Sequence, residues 1–325
     1  MLICPKNSGG TCQILRTKPE TEAAFTNHYI VRINRAIDHI VSNLAQRLNL
    51  QTIAALTGFS PFHFHRVFKS VTTETVSDFV KRQRLERALH IMSHAPKRSL
   101  TDIAMDCGFG SSSDFSRCFK QRYGTSPKKL DIEAHRTSQR SRFDQFMSAQ
   151  AAVPYYKTLP VSTQIPDGFI VTLRDLPARS VAYIRVFDPY RKDAVTKAYE
   201  KLHVWAAKQG LTENQWLGYM WDEPEIVALK DCRYDAAVVV DHPNDVEFSG
   251  DIGHFGFPEM QVAEVRISGD IELESRAFDC LYNEWLPRSG FIPDDHPVLE
   301  AWIGRPYLHG FNHFEIACQL PVKRV

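Results

Sequence analysis

The sequence predicts an α+β protein whose first half is all-α and whose second half is an α/β domain, and three observations support this class. First, Gly-Phe followed by Phe-x-Arg-x-Phe-Lys occurs twice, at residues 58–69 and 108–120. A repeat of the same motif after about fifty residues is typical of repeated structural units. Second, residues 1–164 hold 23 basic and 12 acidic side chains (+11), whereas residues 165–325 hold 16 and 26 (−10). Third, the acidic half contains an internal repeat of its own.

The first motif copy follows two predicted helices. Residues 50–57 predict a short second helix, and Gly58 supplies the permissive backbone that a tight turn requires. Ser60 and Pro61 then predict the N-cap and the first residue of a third helix. Before them, apolar residues recur at three-, four- and seven-residue steps, as in an amphipathic helix: Ile30, Ile33, Ile37, Ile40, Val41 and Leu44.

The third predicted helix has two faces of different chemistry. The apolar face predicts a buried surface and consists of Phe64, Val67, Phe68 and Val71. The opposite face holds Phe62, His65, Arg66 and Lys69. In a helix-turn-helix unit the exposed face of the second helix enters the DNA major groove, where arginine pairs with guanine. We therefore interpret Phe62, His65 and Arg66 as close to the bases and Lys69 as a contact to the phosphate backbone.

The second motif copy repeats this arrangement. Its predicted buried residues are Ile103, Cys107, Phe109, Phe115, Cys118, Phe119 and Tyr123. Its outward residues are Ser113, Ser116, Arg117 and Lys120. Residues 76–94 contain no helix breaker, so they predict one long helix that holds the two reading helices in adjacent major-groove segments, about 34 Å apart. A single basic helix is often only a solvated surface, but two copies in one register within a +11 segment favour binding to double-stranded DNA.

This region resembles the signature of AraC/XylS-type transcription regulators. The resemblance covers about residues 29–135 and rests on Ile103-Ala104-x-x-x-Gly108-Phe109, Phe115-x-Arg117-x-Phe119-Lys120 and Tyr123-Gly124-x-Ser126-Pro127. It implies seven helices, two helix-turn-helix units, promoter DNA as a partner and RNA polymerase as a second partner. By motif position it implies these base contacts: Phe62, His65, Arg66, Ser112, Ser113, Ser116 and Arg117. Leu130-Asp131 departs from the family, which often has arginine there.

A polar, proline-containing stretch, residues 136–166, predicts a frayed helix that passes into an extended connector. We therefore divide the chain into a flexible leader (1–28), a double helix-turn-helix DNA-binding domain (29–137), a linker (138–166) and an α/β domain (167–325).

The α/β domain is predicted to consist of two pseudo-symmetric β-α-β-β repeats. The first has strands at 170–173, 179–187, 216–221 and 234–240 and a helix at 195–208; the second has strands at 261–267, 298–303 and 314–320 and a helix at 274–285. Residues align between the repeats at offsets of 79 to 82, including Val181-Ala182 with Val262-Ala263 and Trp221 with Trp302. Paired units of this kind typically leave a groove at the pseudo-twofold axis, which is a favourable ligand site.

Residues 165–325 resemble the gyrase-inhibitor-like (GyrI-like) domain of bacterial multidrug-sensing regulators. The resemblance rests on Val181-Ala182-Tyr183-Ile184-Arg185, Tyr282-x-x-Trp285-Leu286-Pro287-x-Ser289-Gly290 and Pro297-x-Leu299-Glu300-x-Trp302. It implies that Glu300 is a buried carboxylate facing a cationic, aromatic effector. Nearby aromatic residues are then candidates for stacking on that ligand: Tyr219, Trp221, Tyr282, Trp285 and Trp302.

Several alternatives remain open at this stage. Glu300 is an exposed strand carboxylate beside core aromatics in one alternative, and in two others the domain is a hydrolase with Glu300 as general base or a protein-interaction module. We favour a regulator that is not an enzyme, because the sequence offers no nucleophile or dyad.

We also expect neither a cofactor nor a metal site. The seven cysteines lack metal-ligand spacing and predict reduced thiols in a cytoplasmic protein, and no apolar run is long enough to span a membrane. His309 and His313 lie near Glu315, but Gly310 indicates a loop and no third ligand is evident.

Overall fold

The structure of the protein, a computed structural model, describes residues 19–150, 168–307 and 313–324. Seven α-helices occupy residues 19–150: α1 (Pro19–Ser42), α2 (Leu50–Thr57), α3 (Pro61–Thr72), α4 (Val76–His94), α5 (Leu100–Asp106), α6 (Ser112–Tyr123) and α7 (Ile132–Gln150). The prediction of an all-helical N-terminal half is confirmed. None of the helices in the described part of the chain is long and apolar enough to cross a membrane.

Helices extend beyond both ends of the predicted DNA-binding domain, residues 29–137. α1 begins at Pro19, so residues 19–28 are helical and do not form a flexible leader. α7 continues to Gln150, so the helix predicted at the start of the polar stretch extends into the residues assigned to the linker. Leu130-Asp131, the departure from the family pattern, has a local role, because the Ala134 N–H donates to Asp131 Oδ1 (3.0 Å) at the start of α7. Residues 1–18 and 151–167 lie outside the described residues.

Local sequence signals define where α2 ends and where α3 and α6 begin. Gly58 ends α2 in the left-handed region (φ 68°), as a turn glycine should. Ser60 caps α3 by accepting a hydrogen bond from the His63 N–H (3.3 Å), with Pro61 in the first turn. Ser111 caps α6 in the same way, through the Asp114 N–H (3.1 Å).

The phenylalanines predicted for the apolar faces of the two units are buried, whereas Val67, Val71, Cys118 and Tyr123 are half-buried. Phe64 and Phe68 of α3, and Phe115 and Phe119 of α6, are all fully buried. Each core also receives residues that the sequence did not place there. Phe187 packs against the core of the first unit, and the core of the second unit includes Ile226, Val227 and Cys232. The two halves of the chain therefore share hydrophobic cores.

The long helix α4 joins the two units rigidly. Arg84 of α4 donates from Nε to the Leu44 carbonyl oxygen (3.0 Å) and from Nη2 to that of Gln46 (2.8 Å).

Gly108 of the second unit packs closely against the Leu44 carbonyl oxygen, because a Cβ built at residue 108 would be 2.2 Å from that oxygen. Its φ of 82° is also in the left-handed region. Gly108 is thus required both by its backbone conformation and by close packing.

We expect Gly108→Ala to destabilise the protein by about 2–3 kcal/mol, because left-handed strain and a backbone clash add together. The matched control is Gly124→Ala. Gly124 has a similar φ of 76°, yet a Cβ there meets no atom within 4 Å. Gly124→Ala should lose only the stability that the left-handed backbone conformation costs a residue with a side chain, about 1–2 kcal/mol. Urea unfolding of both variants measures the difference, and equal losses would show that the Leu44 contact does not matter.

The second half is built on one antiparallel sheet. Its strands are β1 (Thr172–Leu176), β2 (Arg179–Phe187), β3 (Trp216–Met220), β4 (Arg233–Val239), β5 (Gly253–Phe257), β6 (Met260–Gly269), β7 (Phe291–Pro293), β8 (Val298–Trp302) and β9 (Phe314–Arg324). Its helices are α8 (Ala194–Gln209), α9 (Ile271–Asp279) and α10 (Leu286–Ser289), and a π-helical segment, Cys280–Trp285, joins the last two. β5 and β7 were not predicted, since both are short and lie beside glycine or proline.

The predicted pair of β-α-β-β repeats is confirmed by the strand order β1-β6-β9-β8-β3-β4-β2-β5. β2-α8-β3-β4 forms one repeat and β6-α9-β8-β9 the other, and they meet where β3 pairs with β8. At that seam Gly218 lies directly opposite Glu300. The predicted match of Trp221 with Trp302 is wrong. Trp302 lies on the helix-covered face of the sheet with Glu300, whereas Trp221 belongs to the cluster on the other face.

Candidate nucleic-acid interface and ligand cavity

The exposed faces of α3 and α6 correspond position by position. Counted from the capping serines, Phe62, His65, Arg66 and Lys69 of α3 match Ser113, Ser116, Arg117 and Lys120 of α6. The scaffold of the two units is therefore repeated, while the outward residues differ at two of these four positions.

The α3 surface is the more open of the two. Phe62 is 76% exposed, and the Arg66 guanidinium carbon lies 6.0 Å from the centre of its ring. Arg66 and Lys69 are exposed, while His65 is half-buried. Arg66 makes no ion pair with any residue that the structure describes. This face presents an aromatic ring, an imidazole and two cations together.

The α6 surface contains an acidic group that the sequence analysis missed. Arg117 is exposed, but its Nη2 lies 2.6 Å from Asp114 Oδ1, and this hydrogen bond raises the pKa of Arg117. Ser113 and Lys120 are exposed, whereas Ser112 and Ser116 are half-buried. A carboxylate repels phosphate and accepts a hydrogen bond from cytosine. The exposed faces of α3 and α6 therefore differ in charge as well as in side-chain type.

A cavity of about 530 Å³ lies between the two halves of the chain. Its wall includes residues of α4 and α7 on one side and of α8, α9 and the strand ends on the other. Of the predicted ligand residues, Glu300, Trp221 and Tyr282 line this cavity. Further aromatic lining residues that sequence reasoning missed are Phe143, Tyr190, Tyr234, Phe278 and Tyr307.

Three predicted ligand residues do not line the cavity. Tyr219 is fully buried on the opposite face of the sheet. Trp302 is 4% exposed and donates from Nε1 to the Tyr199 hydroxyl (3.1 Å). Trp285 stacks on Phe291 with a ring separation of 5.8 Å. These aromatics pack the structure, so we leave them out of the candidate ligand site.

Glu300 is buried at the seam between the repeats, which contradicts the alternative of an exposed strand carboxylate. Its Oε2 accepts a hydrogen bond from the Tyr234 hydroxyl (2.6 Å), which lies 2.9 Å from the Tyr199 hydroxyl. Gly218 leaves the room for this arrangement. A Cβ there would lie 1.9 Å from the Tyr234 hydroxyl and 2.5 Å from Glu300 Oε2.

A second carboxyl group, Glu274 of α9, is buried beside Glu300 and lines the same cavity. Burial and the charge of Glu300 raise the pKa of Glu274 well above its ordinary value. Burial also raises the pKa of Glu300, although the hydrogen bond from Tyr234 opposes this shift. Two buried carboxyl groups this close together favour sharing one proton over ionising together. No spacing in the sequence connects residue 274 with residue 300, so the pair was not predicted.

Charged contacts tie the helical half to the sheet around this cavity. Arg136 of α7 donates from Nη2 to Glu225 Oε2 (2.5 Å), and Arg140 donates from Nη2 to Asp279 Oδ2 (2.6 Å). Arg140 also reaches Glu225 at 2.8 Å. Arg233, which also lines the cavity, donates from Nη2 to Oε1 of Gln83 in α4 (2.8 Å). Anything that enters the cavity therefore meets groups that position the helical half.

Asp38 of α1 makes a further contact between the halves, on the opposite face of the sheet. The Tyr183 hydroxyl donates to Asp38 Oδ2 (2.5 Å), and Arg185 Nη2 lies 2.8 Å from Asp38 Oδ1. The same guanidinium binds Asp235 through two nitrogens, at 2.9 and 2.6 Å. All four side chains are buried. Burial raises the pKa of Asp38, while the charge of Arg185 acts against that rise.

Comparisons with known proteins match both halves. Residues 53–131 match the model of a helix-turn-helix domain, and residues 171–323 match that of a GyrI-like small molecule binding domain. The chain is similar to the HTH-type transcriptional activator RhaS of Klebsiella pneumoniae (strain 342), with 32% identity over 117 residues, 36% of this chain and 41% of RhaS. It is also similar to the regulatory protein SoxS of Escherichia coli (strain K12), with 33% identity over 95 residues, 29% of this chain and 88% of SoxS.

The chain thus spans about two fifths of the RhaS protein that it matches. Among solved structures, the EcmrR C-terminal domain has 17% identity and a TM-score of 0.37, over 48% of this chain and 99% of that one. The DNA-binding domain of AdpA in complex with a target DNA has 24% identity and a TM-score of 0.29, over 34% of this chain and 94% of that one.

Proposed function

The chain belongs to the AraC-type transcription regulators and carries a GyrI-like small-molecule-binding domain, and from this premise we propose that a cationic, aromatic molecule binds between the domains and controls DNA recognition. The observation that carries the proposal is the buried Glu274 and Glu300 pair in a cavity with walls from both halves. The proposed base contacts are the predicted outward residues of α3 and α6.

DNA reading is proposed to be asymmetric. α3 offers Arg66 for guanine and Phe62 for a thymine methyl group, while α6 offers serines and an arginine paired with Asp114. Serine readout is weaker and more often mediated by water. Because α3 and α6 present different side chains on one chain, we expect the protein to recognise a two-part DNA site that is not a palindrome.

Replacing Arg66 by Ala should weaken binding to the preferred DNA by about 1–3 kcal/mol and relax specificity at the base pair it contacts. Lys69→Ala should weaken binding to all sequences alike and reduce the salt dependence, because a phosphate contact carries no sequence information. Fluorescence anisotropy with selected and random DNA over a salt series measures both effects. A wild-type protein without sequence preference or salt dependence would contradict DNA reading by these helices.

The cavity chemistry supports a cation as the effector. The lining contains ten acidic and six basic side chains, so the acidic groups outnumber the partners available in the wall. Trp221, Tyr282 and Tyr307 are among the rings that line it. Such rings attract a cation with about 0.5–2 kcal/mol each. A planar cation would stack on the rings while its charge faces Glu300.

We propose that effector binding changes the orientation of the two domains. The bound molecule would lie against α4 and α7, whose Arg87, Arg136 and Arg140 also line the cavity. A ligand that favours one arrangement shifts DNA affinity, and by linkage DNA shifts ligand affinity by the same factor. The outcome would be altered promoter occupancy or recruitment of RNA polymerase in the bacterial cytoplasm.

A second candidate function rests on the raised pKa of Glu300, since a carboxyl group of that kind suits general acid–base catalysis. The relatives that match are described as regulators, and we favour binding over turnover. Incubating the protein with an aromatic ester and following product formation separates the two functions. Turnover that disappears in Glu300→Gln would establish a hydrolase. A thermal-shift screen of aromatic cations without a hit would instead favour an interaction module.

A further inference from the structure

Two histidines and a glutamate meet at the domain interface, outside the Glu274 and Glu300 pair. His90 and His94 lie one turn apart on α4, and Glu223 lies in the connection between β3 and β4. The donor atoms of the three side chains all lie within 4.8 Å of one another. Glu223 Oε2 is 3.0 Å from His90 Nδ1 and 3.3 Å from His94 Nε2. Residues four apart on a helix share one face, so both rings point to the same carboxylate.

These distances fit the geometry of a zinc site. Zinc binds imidazole nitrogen and carboxylate oxygen at about 2.0–2.2 Å in a tetrahedron, which places neighbouring ligand atoms about 3.3 Å apart. Two histidines and one glutamate are also a ligand set that zinc uses when it keeps a fourth position open. We propose that His90 Nδ1, His94 Nε2 and a Glu223 oxygen bind a divalent transition metal ion of the zinc type.

The surroundings of the cluster support metal binding. Arg136 Nη2 lies 3.8 Å from Glu223 Oε1, the oxygen that does not face the histidines, and it orients the carboxylate. Glu225 binds the same guanidinium at 2.5 Å and offsets its charge. The ring of Tyr282 packs 5.1 Å from that of His94 and fixes its position. A second arginine, Arg87, lines the cavity with His90, and its Nη2 is paired with Asp295 at 2.7 Å.

The site is accessible from solvent. The His90 side chain is 28% exposed, against 5% for His94 and 15% for Glu223. His90 lines both the cavity between the domains and a second one of about 270 Å³, which His94 also lines. An ion therefore has an entry path, and there is room for water as a fourth ligand.

Metal binding here would cross-link the two domains. α4 connects the two DNA-reading units, and Glu223 belongs to the sheet domain, so one ion would join the helix that sets the reading geometry to the effector domain. The inference differs from the prediction that the protein has no metal site, which considered His309, His313 and Glu315. His309 lies outside the described residues, and His313 is exposed.

The test uses the full-length protein after chelator treatment, with zinc titrated in competition with a chromogenic chelator. We expect one zinc ion per chain and a loss of affinity of more than about 100-fold in Glu223→Gln or His94→Asn, because loss of a ligand exceeds the loss seen for outer partners. The matched control is His313→Asn, since His313 Nε2 also lies near a carboxylate, Glu315 Oε1, at 3.9 Å. It should bind zinc like the wild type.

A second readout separates ligation from folding. Cobalt bound in place of zinc should give the intense visible absorption of a tetrahedral site, and this band should disappear in Glu223→Gln while circular dichroism stays unchanged. If His94→Asn does not fold, His90→Asn replaces it, because His90 is the more exposed ligand. A wild-type protein that binds no zinc, or variants that bind it as tightly as the wild type, would overturn the proposal and leave a hydrogen-bonded cluster. Neither result bears on effector binding at Glu300.

Discussion

Replacing Glu300 by Gln should weaken binding of an aromatic cation such as crystal violet by at least about 30-fold. Removing one partner of a buried charge pair costs about 2–5 kcal/mol, and each 1.4 kcal/mol is a factor of ten in affinity. Glutamine keeps the size of the side chain and accepts the hydrogen bond from Tyr234, so the change isolates the charge. Isothermal titration calorimetry measures the affinity directly.

The matched control is Glu315→Gln, which removes a carboxylate from an exposed position of a neighbouring strand. Its affinity for the cation should equal that of the wild type. If Glu300→Gln binds as tightly as the control, the carboxyl pair is not the cation site. The DNA affinity measured with and without the dye then reports whether the cavity is coupled to α3 and α6, since linkage requires equal factors in both directions.

The same experiment should depend on pH in a defined direction. Burial raises the pKa of both Glu274 and Glu300, so the free pair holds a proton where an ordinary glutamate has lost it. A cation binds the ionised pair, and affinity should therefore rise with pH and fall as pH drops through the raised pKa values. In the free protein the protonated pair favours folding at low pH, and that contribution is lost as pH rises.

Arg185→Met should destabilise the folded protein by about 3–5 kcal/mol, because it leaves two buried carboxylates without their cation. Arg185 is fully enclosed between Asp38 of the DNA-binding domain and Asp235 of the sheet, with the rings of Tyr183 and Trp221 5.0 and 5.4 Å away. Methionine fills a similar volume and contributes no charge. Urea unfolding followed by tryptophan fluorescence measures the loss.

The matched control is Arg266→Met, which also removes an arginine from an ion pair with a buried carboxylate. The Arg266 side chain is 62% exposed, and Glu264 keeps Arg174 as a second partner. The free energy of unfolding of Arg266→Met should therefore stay within about 0.5 kcal/mol of the wild-type value.

The Arg185 variant should also lose more stability at pH 8 than at pH 5. Without the guanidinium the raised pKa of Asp38 rises further, and protonation of Asp38 at the lower pH relieves the buried charge. Equal losses in the two variants would contradict this account of the interface.

The two domains share hydrophobic cores, and this explains why we expect a change at their interface to destabilise the whole protein. The connection between β3 and β4 places Ile226 and Val227 in the core of the second DNA-reading unit. The first unit contacts the opposite face of the sheet through Asp38. The predicted domain boundary therefore marks a change in amino-acid composition, whereas the hydrophobic cores contain residues from both sides of it.

The sequence by itself determined the parts of this protein that depend on local patterns. Apolar residues three and four apart placed the helices, and Gly58, Ser60 and Pro61 defined the turn and the start of α3. The offset between the two motif copies predicted which side chains of α3 and of α6 face outward. Alternation of apolar residues and the repeated order of elements predicted the two β-α-β-β units. Each of these signals lies within a few residues of the structure it specifies.

Only the tertiary structure decided which side chains meet. Which of the predicted residues line the cavity depends on how the sheet places each of them. Tyr219 is buried on the far face of the sheet, whereas Trp221 follows the end of β3 and reaches the cavity although it packs against the same far-face cluster. The partners of Glu300, Asp38 and Glu223 come from elements distant in the chain. Such contacts arise from sheet register and domain packing, which leave no fixed spacing in a sequence.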